Sequence, residues 1–312
     1  MSLDVTQIES YVDENRAELI AKSVASAKSM KMLNLQTGYK SSGAVTIMET
    51  EVVYQDGNKT GRSPEGETVL SQRILTVGDI IVEEDIDLKK LNKTYMQHQV
   101  KAGSFEDTLP FEAFYTQNKA EKIALQNEIA IWRGDTAITG TTTEDKNLKR
   151  FDGFLKIFAG ESDIIDGNPS GVTEITKANV ESIFDDIYNL IPTSILSKDD
   201  LVVMCGFDTF RFFTQAVKTT NYNHYDGKAS DFEMMIPGTN VTLVATEGLN
   251  GTSTIVCGRK SNFVIGTDLE NEEERFEVWY SKDDRVLKAD VNFKLGTQIQ
   301  HPSEVVLFQL SA

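Results

Sequence analysis

The clearest pattern of apolar and polar positions lies towards the C-terminal end. In VLKADVNFKL (286–295), Leu287, Ala289, Val291, Phe293 and Leu295 alternate with Lys288, Asp290, Asn292 and Lys294. A period of two is that of a half-buried β-strand. FEVWY (276–280) precedes it across an SKDD turn and EVVLFQL (304–310) follows, so the three read as a meander. Four shorter runs are apolar without alternation: LVVMC (201–205), VTLVA (241–245), STIVC (253–257) and FVIGT (263–267). Continuous runs predict strands of a sheet covered on both faces. Residues 177–190 and FDTFRFFTQAV (207–217) read as helices, and GESDIIDGNPSG (160–171) reads as a loop.

Helical spacing is plainest in PFEAFYTQNKAEKIALQNEIAIWR (110–133). One stripe runs Ala120, Ile123, Ala124, Ile131 and a second runs Leu125, Ile129, Trp132. Pro110 suits a first turn and Gly134 the left-handed residue after the last. Such a helix is about 36 Å long at 1.5 Å per residue. Residues 5–33 also read as helix, with Val5, Ile8, Val12, Leu19, Val24 and Ala27 on a thin face that needs something else to pack on.

Between these two helices lie AVTIMETEVVY (44–54) and TVLSQRILTVGDIIV (68–82), rich in Val, Ile and Thr. The polar stretch YQDGNKTGRSPEGE (54–67) joins them, which predicts a long hairpin. A strand of eleven residues reaches roughly 35 Å at about 3.3 Å per residue. Apolar residues occupy both faces, Val45, Ile47 and Val53 on one and Met48, Val52 and Tyr54 on the other. A two-stranded hairpin is marginal on its own in water, so this surface needs cover. If the hairpin projects, that cover is another molecule.

The 312 residues are 40% hydrophobic, enough for a substantial core, and carry 31 Lys+Arg against 48 Asp+Glu for a net charge of −17. That balance disfavours holding a polyanion, since phosphate binding needs Lys and Arg to displace counterions. No apolar run reaches the roughly 20 residues that span a bilayer, and the acidic opening stretch predicts no secretory leader. Cys205 and Cys257 lie in apolar runs and read as buried thiols; a disulfide requires those strands to be neighbours.

The motifs of common chemistries are missing. His98, His224 and His301 stand in no metal-ligand spacing. There is no nucleophile elbow, phosphate-binding loop or dinucleotide fingerprint. Asp163, Asp166 and Asn168 supply oxygens suited to a hard cation, but the spacing misses the EF-hand pattern and a turn is the better reading. The run Glu270, Glu272, Glu273, Glu274 reads as solvated surface, and Phe207, Phe210, Phe212 and Phe213 read as core. His224 and Asp226 form an acid–base pair with no nucleophile nearby. These observations predict no enzyme, no metal and no cofactor, and instead a building block.

The order of parts carries a resemblance. An amphipathic arm, a long hairpin, a long helix, a mixed α/β insertion and an alternating meander follow one another, with the phrases NLQTG (34–38), LSQR (70–73), AIWRGD (130–135), DGF (152–154) and FKLGTQIQHPSEVVLF (293–308). In this the chain resembles the major capsid proteins of tailed bacteriophages, whose fold encapsulins share, and among them those of crAss-like and other Bacteroides-type phages. The resemblance implies an α+β fold with an N-terminal arm (1–40), an extended β-hairpin loop (41–85), a peripheral domain with spine helix and meander (86–150 and 271–312) and a mixed α/β axial domain (151–270). It implies a virion protein, assembled in the host cytoplasm into hexamers and pentamers of an icosahedral shell. Scaffolding, portal and decoration or head-completion proteins would be its partners, with DNA enclosed but not read in sequence and no membrane involved. The hairpin tip would lie on a neighbouring subunit, with Lys59, Arg62, Glu65, Glu67 and Arg73 as contact residues. An arm that begins almost at Met1 implies a separate scaffolding protein, none, or a mature form. Other readings stay open: an encapsulin-type compartment, or a hydrolase using His224 and Asp226. An adhesin or carbohydrate-binding module is disfavoured.

Overall fold

A computed structural model of the chain describes residues 26–58, 60–62, 64–86, 111–220, 232–268, 275–284 and 286–311. The expected N-terminal helix falls outside these residues except for its end, the short α1 (Lys28–Met32). Lys59, His98, His224, Asp226 and the run from Glu270 to Glu274 also lie outside them.

The chain first pairs β1 (Asn34–Gln36) in parallel with a later strand, then forms a hairpin from β2 (Ser42–Thr50) and β3 (Thr68–Thr76). After Val77 the return strand resumes as β4 (Gly78–Ile86), leaves the hairpin and joins a five-stranded sheet. The run 68–82, read from sequence as one strand, is therefore two. The long helix is α2 (Phe111–Arg133), followed by α3 (Thr143–Leu148) and α4 (Phe154–Gly160). Gly134, which closes α2, is not left-handed as its position suggested. It is small because the chain crosses there: an added Cβ would meet the Phe151 carbonyl at 2.5 Å, and Gly153 N donates to Gly134 O at 2.9 Å.

A six-stranded sheet follows, in the order β5 (Ile165–Asp166), β13 (Val306–Phe308), β9 (Ile255–Arg259), β6 (Leu201–Cys205), β8 (Thr242–Ala245), β7 (Glu233–Met235). Its continuous apolar runs are covered on both faces, as predicted. Val202, Met204, Val244 and Val256 enter one core cluster with Trp132 and Phe154; Leu201, Val203, Cys205, Leu243 and Ile255 enter another. That second cluster is built by α5 (Val180–Leu190), the one-turn α6 (Thr193–Leu196) and α7 (Phe207–Thr220). Two strands change places relative to the sequence reading. FVIGT forms β10 (Phe263–Thr267) of the five-stranded sheet, and the run 304–310 supplies β13 of the six-stranded one, so the third meander strand is absent from it.

The five-stranded sheet is organised by β12 (Val286–Ile299). Its first half pairs with β11 (Arg275–Ser281), its second half with β10, and β4 runs along its other edge from Leu287↔Ile86 to Leu295↔Gly78. Leu287, Ala289, Val291, Phe293 and Leu295 are buried with Ile123 and Ile131 of α2, as the alternation predicts.

Cys205 and Cys257 are both free and buried. Their strands are neighbours, but the register sets Cys205 opposite Ile255 and Cys257 opposite Val203. The two thiols are thus diagonal on one face, farther apart than the roughly 3.8 Å between Cβ atoms that a disulfide needs.

Candidate functional site: the projecting hairpin

The β2–β3 ladder runs without a break from Ser42↔Thr76 to Thr50↔Thr68, and Glu51 N still donates to Glu67 O at 2.8 Å. Opposed residues share a face, so Val45, Ile47, Arg73 and Leu75 look one way and Ala44, Met48, Leu70 and Ile74 the other.

The root of the first face is held by the chain's own body. On β10, Phe263 and Ile265 enter the main core, while Val264 on the opposite side packs with Val45, Leu75 and Val77. Two glycines make this approach: a Cβ at Gly266 would run into the Leu75 side chain, and one at Gly296 into the Thr76 carbonyl. Polar ties add to the packing. Arg73 pairs with Glu161 beyond α4, Gln298 Nε2 donates to Ile74 O at 2.7 Å, and His301 Nδ1 stands 3.7 Å from Glu49 Oε1.

Beyond Ile47 and Arg73 the apolar support stops. Val45 is 2% exposed and Leu75 fully buried, whereas Met48, Leu70 and Ile74 are 68%, 67% and 69% exposed and Tyr54 96%. The sequence reading of two apolar faces in need of cover is thus half met within the chain: one face at the root is covered, the other face and the distal part are not. Arg62, Glu65 and Glu67 are exposed at the tip. Arg73, named with them, is at the root.

Solved structures show what this architecture is. The chain resembles a chain of the satellite phage P4 procapsid that includes size determination (Sid) protein, with a TM-score of 0.62 at 13% identity over 96% of this chain and 100% of that one. It resembles the capsid of Myoviridae phage XM1, with 0.52 at 13% identity over 89% of each chain. The fold is that of phage major capsid proteins. A virus-like particle from Pyrococcus furiosus shares the capsid fold, with 0.53 at 9% identity over 98% of this chain and 99% of that one. No family model and no curated protein matches the sequence.

Within the capsid fold one buried polar cluster escaped the sequence reading. Ser29 of α1 donates through its backbone N to Glu128 Oε2 at 2.8 Å and through its hydroxyl to Glu128 Oε1 at 2.6 Å, while Trp132 Nε1 donates to Ser29 Oγ at 2.8 Å. All three residues are buried. Burial raises the Glu128 pKa, and the Ser29 donors, Trp132 and Lys28 pull it down by less. The cluster fastens the end of the arm to the spine. Its signal was a lone acid inside the apolar stripe of α2, one turn before Trp132.

The loop oxygens of 163–168 serve the loop itself. Asp166 Oδ1 accepts from Asn168 N at 2.9 Å, and Asn168 bridges to Val172 and Gln309. Among the described residues no three His, Cys, Asp or Glu side chains are grouped to hold a metal ion.

Proposed function

We propose that the chain is a structural, non-catalytic major capsid protein of a tailed phage, of the crAss-like or Bacteroides-type group, which assembles with itself into an icosahedral head around double-stranded DNA. One observation carries the reading: a hairpin on a capsid fold whose root is locked to its own body and whose distal apolar residues Met48, Leu70 and Tyr54 are left bare. The arm (1–40), extended loop (41–85), peripheral domain (86–150 and 271–312) and axial domain (151–270) are the working parts, with β10 (Phe263–Thr267) exchanged into the peripheral sheet and β13 (Val306–Phe308) into the axial one. A sister copy covers the distal hairpin, with Lys59, Arg62, Glu65 and Glu67 at that contact and Arg73 fixing the angle of approach. Each exposed ion pair there contributes only about 0–1 kcal/mol, and a closed shell repeats the contact many times. The net charge of −17 suits a wall that encloses DNA without adhering to it. Scaffolding, portal and decoration or head-completion proteins are the further partners, and the host cytoplasm the place of assembly.

The test is negative-stain microscopy of the concentrated protein, with scaffold where needed. Rings, tubes or shells are expected; monomers under every condition would overturn the reading. Replacing residues 52–66 by Asn-Gly is the companion variant. Glu51 and Glu67 already face each other, so a two-residue turn closes the hairpin, and the variant should fold without assembling.

The likeness to the Pyrococcus furiosus virus-like particle supports a second reading, a shell that encloses protein cargo. Shells from the native source holding nuclease-protected DNA favour the head; co-purifying protein cargo without DNA favours the compartment.

A further inference from the structure

The described part of α2 buries one acid, Glu128, which is 3% exposed. Ser29 of α1 covers its carboxyl and Trp132 flanks it. The short turn Glu247–Leu249 presses on its backbone, since a Cβ on Gly248 would run into the Glu128 carbonyl. That turn is anchored by Leu249 in the main core. The cover on the other side is thinner. α1 is five residues long and starts without a side-chain cap. It is held by the apolar contacts of Ala27, Met30 and Leu33 and by the Ser29 bonds. β1, directly after Leu33, pairs with β10, so α1 can lift while the chain beyond it stays in place.

The contact serves two protonation states unequally. Glu128 Oε1 and Ser29 Oγ lie 2.6 Å apart, and a neutral carboxyl can donate to that hydroxyl while Oε2 accepts from Ser29 N. An ionised carboxylate is a charge held under α1 away from water, which is costly unless closely paired. Lys28 bears on it, but the ammonium also stands 3.7 Å from Glu233 of β7. Lys31 and Glu247 are exposed, and burial keeps the Cys205 thiol of β6 neutral. Burial outweighs the lowering influence of Ser29, Trp132 and Lys28, so the Glu128 pKa is raised. Lifting α1 admits water to the carboxyl and relieves that cost. We propose that α1 is a proton-operated latch, docked on the spine while Glu128 is neutral and released when Glu128 ionises. Docking is then firmest below the ordinary value of 4.5 and weakens as pH rises from there through the folded value. The hairpin root, seated on Val264 of β10, keeps its place. The latch belongs to the single subunit and works whether or not the chain builds a shell.

Amide hydrogen exchange of the full chain tests this, expressed at each pH as protection relative to an unstructured peptide. The amides of Lys31 and Leu33, which donate to the Ala27 and Ser29 carbonyls, report on α1. Their protection should fall by up to about tenfold per pH unit as Glu128 ionises, while amides of β12 keep theirs. Glu128→Gln keeps the shape and cannot ionise, so it should hold α1 protection constant across the series. Glu233→Gln should leave the fall in place. Constant α1 protection in the wild type overturns the inference, and so does a fall shared by β12, which would be global unfolding. A fall that survives Glu128→Gln, or one that vanishes with Glu233→Gln, also overturns it by placing the titrating group elsewhere.

Discussion

Replacing Ser29 with alanine should loosen the arm from the spine, and the cost can be worked from the buried cluster. One hydroxyl is lost, but two buried groups lose a partner: it donates to Glu128 Oε1 and accepts from Trp132 Nε1. A hydrogen bond to a charged group is worth about 1.5–3 kcal/mol, and a buried donor left without an acceptor costs about 1–3 kcal/mol. With Glu128 ionised the two amount to about 2.5–6 kcal/mol, large against ordinary domain stabilities. The sign of its pH dependence is fixed too. Burial holds the Glu128 pKa above its ordinary 4.5 in the folded chain. The contribution of such a group is fully present below the unfolded value and is lost as pH rises through the folded one. Removing the hydroxyl takes away one influence that lowers the pKa, so the folded value climbs further and the loss deepens as Glu128 ionises. Ser29→Ala should therefore cost more above the folded Glu128 pKa than below it, so its cost should rise along a series of increasing pH. Adding Glu128→Gln should make the Ser29→Ala cost independent of pH. Urea unfolding of the unassembled subunit, followed by tryptophan fluorescence, reads both. A loss below about 1 kcal/mol at the alkaline end of the series, or one that does not change with pH, would refute the reasoning.

Two further outcomes are expected. Gly296→Ala places a methyl group against the Thr76 carbonyl; it should cost about 1–3 kcal/mol in urea unfolding by forcing the hairpin root off the sheet, and a neutral result would show that the root is not seated there. Burial pushes the Cys257 thiol up to about 12 and the Cys205 thiol higher still, so neither should react with a thiol reagent at mildly alkaline pH until the chain unfolds; labelling faster than unfolding would contradict their burial.

What the sequence made legible follows from what periodicity encodes. Alternation along β12 reports one buried face, and the structure buries those five residues. Continuous runs such as LVVMC report two buried faces, and alternate residues of β6 enter different cores. Periodicity does not say which strand lies beside which. FVIGT and VVLF were therefore placed in the wrong sheets, because both are short, apolar and equally at home in either. The break at Val77 was hidden for a related reason: 68–82 is strand-like on both sides of it, and the close approach of Gly78 to the Arg150 carbonyl, where the chain passes from hairpin to sheet, is a tertiary contact that periodicity does not encode. The hairpin and its polar tip were plain, whereas the glycine seat at Gly266 and Gly296 looks like any glycine in a strand. Glu128 was visible as an acid in an apolar stripe, but its partner Ser29 lies 99 residues away.

The division of the hairpin into a fixed root and a bare distal part has an energetic sense for assembly. A freely swinging arm would lose orientational freedom each time a neighbour clasped it, and contacts of a fraction of a kcal/mol each offset such a loss poorly. Seating Leu75 over Gly266 and tying Arg73 to Glu161 settles the direction of the hairpin within the single subunit. The ordering cost is then met during folding, by a core that also buries Val45 and Val264. In the proposed shell, what remains for the neighbour is to cover apolar residues and match charge, which weak contacts can do. It follows that changes at the root and at the tip should fail differently. A loosened root should still bind neighbours but at varied angles, giving aggregates or shells of mixed curvature, whereas a discharged tip should give well-folded subunits that do not associate.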